Sequence, residues 1–448
     1  SGTFSGNTVR ITVTGASANV TAILGGPTTV KYTDQGTSNS MTDGTNHATT
    51  SSVIALSDGA APVIVSASTS DNDSDGTIDR LTLTFSETVV ITDGGTDNDI
   101  TLSASTGTAS ITAGTYGATA SSLVYTISGA TADNTSLTIT PTYAVSGAGN
   151  ITDPSGNEMP NNETVTGTDG AKPAILSAVT GDANSDGTVD RLTLTFSESV
   201  VITDGGTDND ITLSASTGTA SITAGTYGTT ASTLVYTING TTADNTSLTI
   251  RPTYAVGGDG DITDASGNEM LNGETVSGSD DIVPVLLSAS YKDTNGDGTV
   301  NRIDAVYSEE ISSSTFESGD WTFPTNPHTL SVGSGVFSGN TVQITVTGSP
   351  ANTTVLGTTT VKYTNQGTSN SMTDGTNHAA TSSVITVSDA AAPVIVSAAT
   401  SDDNKDGTVD RLTLTFSESV VITDGGTDND ITLVASTGTA SITDGNYG

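Results

Sequence analysis

Apolar residues alternate with polar ones along this chain. Leu81, Leu83 and Phe85 are separated by Thr82 and Thr84, Leu123, Tyr125 and Ile127 by Val124 and Thr126, and Leu137 and Ile139 by Thr138. A period of two sends every second side chain to the same face of an extended backbone, so each run predicts a half-buried β-strand. The runs are rich in Val, Ile and Thr, which pack well on a pleated surface. Clusters of Gly, Asn, Asp and Ser interrupt them about every 8–12 residues, the rhythm of an all-β chain. No segment carries a sustained 3.6-residue apolar stripe, so no helix is expected. The abundance of Thr, Ser and Gly would fit disorder, but alternation this regular argues against it.

The pattern itself recurs. Pro62, Pro173, Pro284 and Pro393 open similar blocks spaced 111, 111 and 109 residues apart. Blocks 59–169 and 170–280 are near-copies (type A), carrying the string Arg-Leu-Thr-Leu-Thr-Phe-Ser-Glu at 80–87 and 191–198. Block 281–389 is a diverged relative (type B), with Arg-Ile-Asp-Ala-Val-Tyr-Ser-Glu at 302–309. Residues 390–448 repeat the first half of type A, and residues 1–58 repeat the last part of type B. The expected division is a partial domain at 1–58, full domains at 59–169, 170–280 and 281–389, and a partial domain at 390–448. Both ends then fall inside a repeat, and the chain reads as a window on a longer polymer with a higher-order period of 331 residues. About seven short strands per block predict an all-β protein of tandem immunoglobulin-like β-sandwich domains.

Charge narrows the partners. Lys and Arg number 11 against 49 Asp and Glu, a formal net charge of −38. Such a surface repels nucleic acid and anionic membranes, whose binding depends on basic contacts. It suits cations or a well-solvated exterior. A salty medium would account for acidity alone, but the Asp residues cluster at fixed loop positions, which favours metal. Cysteine is absent, so neither disulfide nor thiolate site can staple the sandwiches. No apolar run approaches the ~20 residues that span a bilayer, and no leader pattern opens the chain. Any export signal or anchor is expected outside this stretch.

The acidic loops carry the chemistry. Between the first two strands of each block stand Asp71, Asp73, Asp75, Thr77 and Asp79; then Asp182, Asn184, Asp186, Thr188 and Asp190; then Asp293, Asn295, Asp297, Thr299 and Asn301; and last Asp402, Asn404, Asp406, Thr408 and Asp410. The spacing D-x-[DN]-x-D-G-x-x-[DN] matches the front of an EF-hand loop. There, side chains at positions 1, 3 and 5 and the carbonyl of 7 ligate Ca2+, and Gly at 6 allows the sharp turn. The bidentate Glu of position 12 is missing, Thr82 standing there, and the flanks are strands. A metal-free Asp/Asn/Gly turn is the plainer alternative; four recurrences at one block position weigh for Ca2+.

A second acidic loop, Asp93, Asp97 and Asp99, with copies at Asp204, Asp208, Asp210 and at Asp424, Asp428, Asp430, fits a metal site or a hydrated turn equally. A third, opening at Asp153, Asp264, Asp374 and Asp43, predicts an Asx turn. Glu87, Glu198, Glu309 and Glu418 are expected to pair with Arg80, Arg191, Arg302 and Arg411 or to assist the metal. Strand parity sets the first loop of one domain against the second and late loops of the next. Asp169, Asp280 and Asp281 of the linkers lie nearby, so calcium is expected at or near each junction.

The run Asp-Gly-Thr-Val-Asp-Arg-Leu-Thr-Leu-Thr-Phe-Ser-Glu at 186–198, followed by Asp-x-x-Gly-Asn at 264–268, resembles the bacterial immunoglobulin-like repeats of surface-layer proteins and large surface adhesins. The resemblance covers nearly all of type A and, more weakly, type B. It implies an exported sandwich fold, structural or adhesive work at the cell surface, and frequent calcium dependence.

Enzymatic activity is not expected. The histidines are His47, His328 and His378, and two of them occupy the same repeat position, whereas a catalytic centre is normally unique. The expected function is an extracellular filament or surface layer whose main partner is a second copy of the chain. The alternative is an adhesin, or a stalk carrying a head, that meets a cell-surface glycan or protein. The aromatic stretch 316–327 is its best candidate surface, although alternation of Trp321 and Phe323 favours packing one of them in the core.

Overall fold

The structure, a computed structural model, describes residues 2–13, 29–38, 40–92, 99–105, 107–114, 119–128, 139–144, 151–202, 210–216, 218–225, 230–240, 250–255, 262–311, 316–348, 358–367, 371–421 and 431–443. Within residues 2–58, β1 (Gly2–Ser5) pairs with β2 (Thr8–Ile11), and β3 (Thr29–Val30) with β4 (Ile54–Ala55). The first type A block supplies β5 (Ile64–Ser70), β6 (Arg80–Ile91), β7 (Ile100–Ala104), β8 (Ser110–Ala113), β9 (Thr119–Ser128), β10 (Ile139–Tyr143) and β11 (Ile151–Thr152). The second repeats them as β12 (Ile175–Gly181), β13 (Arg191–Ile202), β14 (Ile211–Ala215), β15 (Ala220–Ala224), β16 (Thr230–Gly240), β17 (Ile250–Tyr254) and β18 (Ile262–Thr263), and closes with β19 (Gly278–Ser279). Type B contributes β20 (Leu286–Lys292), β21 (Arg302–Tyr307), β22 (Trp321–Thr322), β23 (Ser331–Ser338), β24 (Thr341–Thr347), β25 (Thr360–Tyr363) and β26 (Ile385–Asp389). A last hairpin joins β27 (Ile395–Ser401) to β28 (Arg411–Phe416). Type B also holds a 3-10 turn, Ser318–Asp320.

The alternation read in the sequence becomes an inside and an outside. Along β6 the side chains of Leu81, Leu83, Phe85, Glu87, Val89 and Ile91 are buried and their neighbours are not. One sheet of this block runs β11-β6-β9-β8 with β5 also on β6, and the facing pair is β7 with β10. Leu81 lies opposite Tyr125 and Leu83 opposite Leu123. Ile100, Ile139 and Tyr143 meet them from the other sheet in one core. An equivalent core fills the second block around Leu192, Tyr236 and Tyr254, and another fills type B around Ile303, Tyr307 and Trp321. These are tandem immunoglobulin-like β-sandwiches.

Two details close each sandwich. The last strand returns beside the first in parallel: Ala178 pairs with Gly278 and Ala289 with Val387. Gly278 permits that approach, since a Cβ there would sit 2.3 Å from the Ile250 carbonyl oxygen. A buried tyrosine also ties the late part of the block to its core. The Ile151 N–H donates to Tyr143 Oη at 3.3 Å, Ile262 to Tyr254 at 3.3 Å, and Met372 to Tyr363 at 3.3 Å. The Met41 N–H makes the same bond to Tyr32, at 3.0 Å.

Candidate metal centres

Each acidic loop is wound around its first aspartate. Asp71 Oδ1 accepts the N–H of Asp73 (3.2 Å) and Ser74 (2.8 Å), while Oδ2 accepts that of Gly76 (2.8 Å). Asp182 does the same for Asn184, Ser185 and Gly187. Asp293 holds Gly296 and Gly298, and Asp402 holds Asp406 and Gly407. The turn needs left-handed backbone at positions 4 and 6: φ is 59° at Ser74 and 83° at Gly76, 60° at Ser185 and 83° at Gly187. Glycine at position 6 supplies that conformation without the strain of a Cβ.

The remaining sequence-predicted ligands divide. Asp71, Asp73 and Asp75 bring carboxylate oxygens within 4.8 Å of one another. In the other loops Asn at position 3 bonds to position 5. The Asp186 and Asp406 N–H groups donate to Asn184 Oδ1 (2.9 Å) and Asn404 Oδ1 (2.8 Å), and Asn295 Nδ2 donates to Asp297 Oδ2 (2.9 Å). Thr77, Thr188, Thr299 and Thr408 donate their N–H to the position-5 carboxylate. Hydroxyl and amide of Thr188, Thr299 and Thr408 hold Asp186, Asp297 and Asp406 below the usual carboxylate range. Position 9 acts as a brace: Asp79, Asp190, Asn301 and Asp410 accept the N–H of Asn72, Ala183, Thr294 and Asp403. Burial pushes the Asp71 carboxyl up, with a contribution from Asp75.

The loops abut the next block. A Cβ on Gly76 would lie 2.8 Å from Leu176 Cδ2 and 3.2 Å from Ser197 Cβ; on Gly187, 2.4 Å from Ser308 Cβ; on Gly298, 2.6 Å from Val396 Cγ1. Burial raises Glu274 of the second block, and Asp71 of the first adds to the effect. Of the second acidic loops, Asp93, Asp97, Asp204, Asp208, Asp424, Asp428 and Asp430 lie outside the described residues. Asp99 and Asp210 have φ of 60° and 59°.

A second set of carboxylates meets elsewhere. Asp58, Glu87 and Asp153 gather within 4.8 Å, as do Asp169, Glu198 and Asp264, and Asp280, Glu309 and Asp374. The expected Glu87–Arg80 pairing does not form. Seven residues of strand separate the two by about 23 Å and turn them to opposite faces. Arg302 pairs instead with Asp304 (2.7 Å) and Arg411 with Asp403 (2.6 Å). Glu87, Glu198 and Glu309 are only 4%, 2% and 1% exposed.

The late Asp forms the expected Asx turn, with Asp153 Oδ1 accepting the Asn157 N–H at 2.7 Å, and the same residue joins the cluster. Burial, with Asp58 and Asp153 adding, pushes Glu87 up; burial, with Asp264 adding, pushes Asp169 up to about 6. A sequence signal for these clusters existed. Glu87 shares the parity of Leu81, Leu83 and Phe85, so it had to face inward.

No known protein family matches the chain, and no curated protein matches it. Solved structures that it resembles include the S-layer protein rSbsC, at 14% identity and a TM-score of 0.19, covering 76% of this chain and 56% of that one. Another is the I-band fragment I67-I69 of titin, at 8% identity and 0.16, covering 74% and 99%. A third is invasin, described as a bacterial integrin-binding protein, at 12% and 0.21, covering 78% and 67%. The chain thus spans little more than half of the surface-layer protein. Likeness at these scores carries no weight for what the chain does. No helix among the described residues is long and apolar enough to cross a membrane.

Proposed function

We propose that this chain is an extracellular structural protein. Its tandem sandwiches are stiffened by Ca2+ in the acidic loops and assemble with further copies into a surface filament or surface layer. The domains are those expected from the repeats, 1–58, 59–169, 170–280, 281–389 and 390–448. One observation carries most of the weight: each acidic loop is preshaped around its first Asp, and in the first three loops its Gly abuts the following block. An ion there would rigidify the surface that the next sandwich leans on. Domains joined by short linkers otherwise move by default.

An enzyme finds no support, since the carboxylate clusters recur with the scaffold. Nor does an aromatic adhesive patch. Trp321 is 4% exposed, with its ring 5.4 Å from Tyr363 and 6.4 Å from Tyr307.

Small-angle scattering and limited proteolysis of the full chain, with calcium and with a chelator, test the proposal. Calcium is expected to narrow the distribution of interdomain distances and to slow cleavage at 169–173 and 280–284. Identical scattering and cleavage in both conditions would overturn it.

A further inference from the structure

The clusters Asp58–Glu87–Asp153, Asp169–Glu198–Asp264 and Asp280–Glu309–Asp374 owe nothing to the acidic loops, and we infer that each is a buried calcium site joining a linker to the block that follows. The three carboxylates come from three separate places. The linker Asp stands four residues before the block-opening proline, the Glu at the inward parity of the long strand, and the last Asp opens the late turn.

Each is anchored by its own backbone partners. Asp58, Asp169 and Asp280 use Oδ1 to accept the N–H of Ala60 (3.0 Å), Ala171 (3.0 Å) and Ile282 (2.9 Å). Asp153, Asp264 and Asp374 use Oδ1 for the N–H of Asn157, Asn268 and Asn377, each at 2.7 Å. In the third cluster this leaves Oδ2 of both Asp280 and Asp374 buried without a hydrogen-bond partner. Glu87 Oε1 is in the same position, on a side chain 4% exposed, and Asp374 is 6% exposed.

A carboxylate buried without a counter-charge is strongly destabilising, yet three acidic side chains converge in each of the three clusters. A divalent cation resolves it. Two oxygens bound to calcium at 2.3–2.6 Å lie no more than about 5 Å apart, and the cluster oxygens meet that limit at 4.8 Å. An all-oxygen donor set without His or Cys selects a hard ion.

The register of β6 on β9 shifts between Thr84 and Val89, and Glu87 lies within that bulge. Asp389 and Glu418 hold the same two positions relative to Pro393 in the last block. Ser197 and Ser308, which the preceding acidic loop touches, directly precede Glu198 and Glu309. An ion in the cluster would therefore hold the junction from inside, whether or not the loop itself is filled.

Equilibrium dialysis of the calcium-stripped full chain against radioactive calcium separates the two kinds of site. The triple variant Glu87→Gln, Glu198→Gln, Glu309→Gln is expected to lose three ions per chain, one for each cluster. The loop variant Asp71→Asn, Asp182→Asn, Asp293→Asn, Asp402→Asn is expected to keep those three. Thermal melting in EDTA guards against misfolding: with like charge removed, the Gln variant should melt at or above the parent, and its calcium-driven rise should shrink. Unchanged calcium stoichiometry in the Gln variant overturns the inference. So does a melting point below the parent in EDTA, because the carboxylates would then serve the fold without metal, by sharing protons.

Discussion

Parity decides the role of single residues here. Trp321 sits in the most divergent stretch of the chain, where an exposed aromatic would have suggested a binding surface. Its ring instead lies 6.4 Å from that of Phe316, stacked at 20°, and edge-on to Tyr307 at 88°. Trp321→Ala should destabilise the type B sandwich by about 3–5 kcal/mol, the usual cost of emptying a large buried site. The change should appear as a lower urea midpoint for type B unfolding while the type A transitions stay in place. Glu87 obeys the same parity with the opposite chemistry: its position on β6 buries it, and its carboxyl then needs a partner that no neighbouring strand residue supplies.

Among the elements, the acidic hairpin loops matter most, because they both shape a turn and contact the next block. Gly187 shows the two demands separately. Its φ of 83° disfavours any side chain, and a Cβ would come within 2.4 Å of Ser308 Cβ. Gly267 has a φ of 90° but open space around it. Gly267→Ala should therefore carry backbone strain alone, about 1–3 kcal/mol. Gly187→Ala should add displacement of the loop from the following block, read as faster proteolysis at 280–284 that Gly267→Ala does not produce. Equal cleavage rates in the two variants would mean that the loop does not brace the junction.

The whole molecule carries a net charge of −38 with no disulfide to oppose the repulsion. Salt and calcium should then act differently. Raising ionic strength from about 0.1 to 1 M shortens the screening length from about 10 to 3 Å, which quiets the exposed carboxylates. It cannot reach Glu87, Glu198 or Glu309, which are almost fully buried. In chelator, 1 M NaCl should recover only part of the melting temperature that millimolar calcium restores, by circular dichroism. Full recovery by NaCl would leave surface repulsion as the sole instability.

The alternation, the repeat spacing and the Asp-Gly loops are local features, and local physics was enough to read the strands, the sandwich class and the turn built on Asp71 from sequence. Glu87 and Asp153 were each visible as recurring residues, and the parity Glu87 shares with Leu81, Leu83 and Phe85 is a local signal that it faces inward. Their meeting was not visible, because it depends on the path of β6 past two partner strands and on the linker folding back beside the late turn. Distances between segments 29 to 95 residues apart in the chain are set by packing and not by neighbours in sequence. The order of side chains along each strand thus belongs to the sequence, while the company those side chains keep belongs to the tertiary structure.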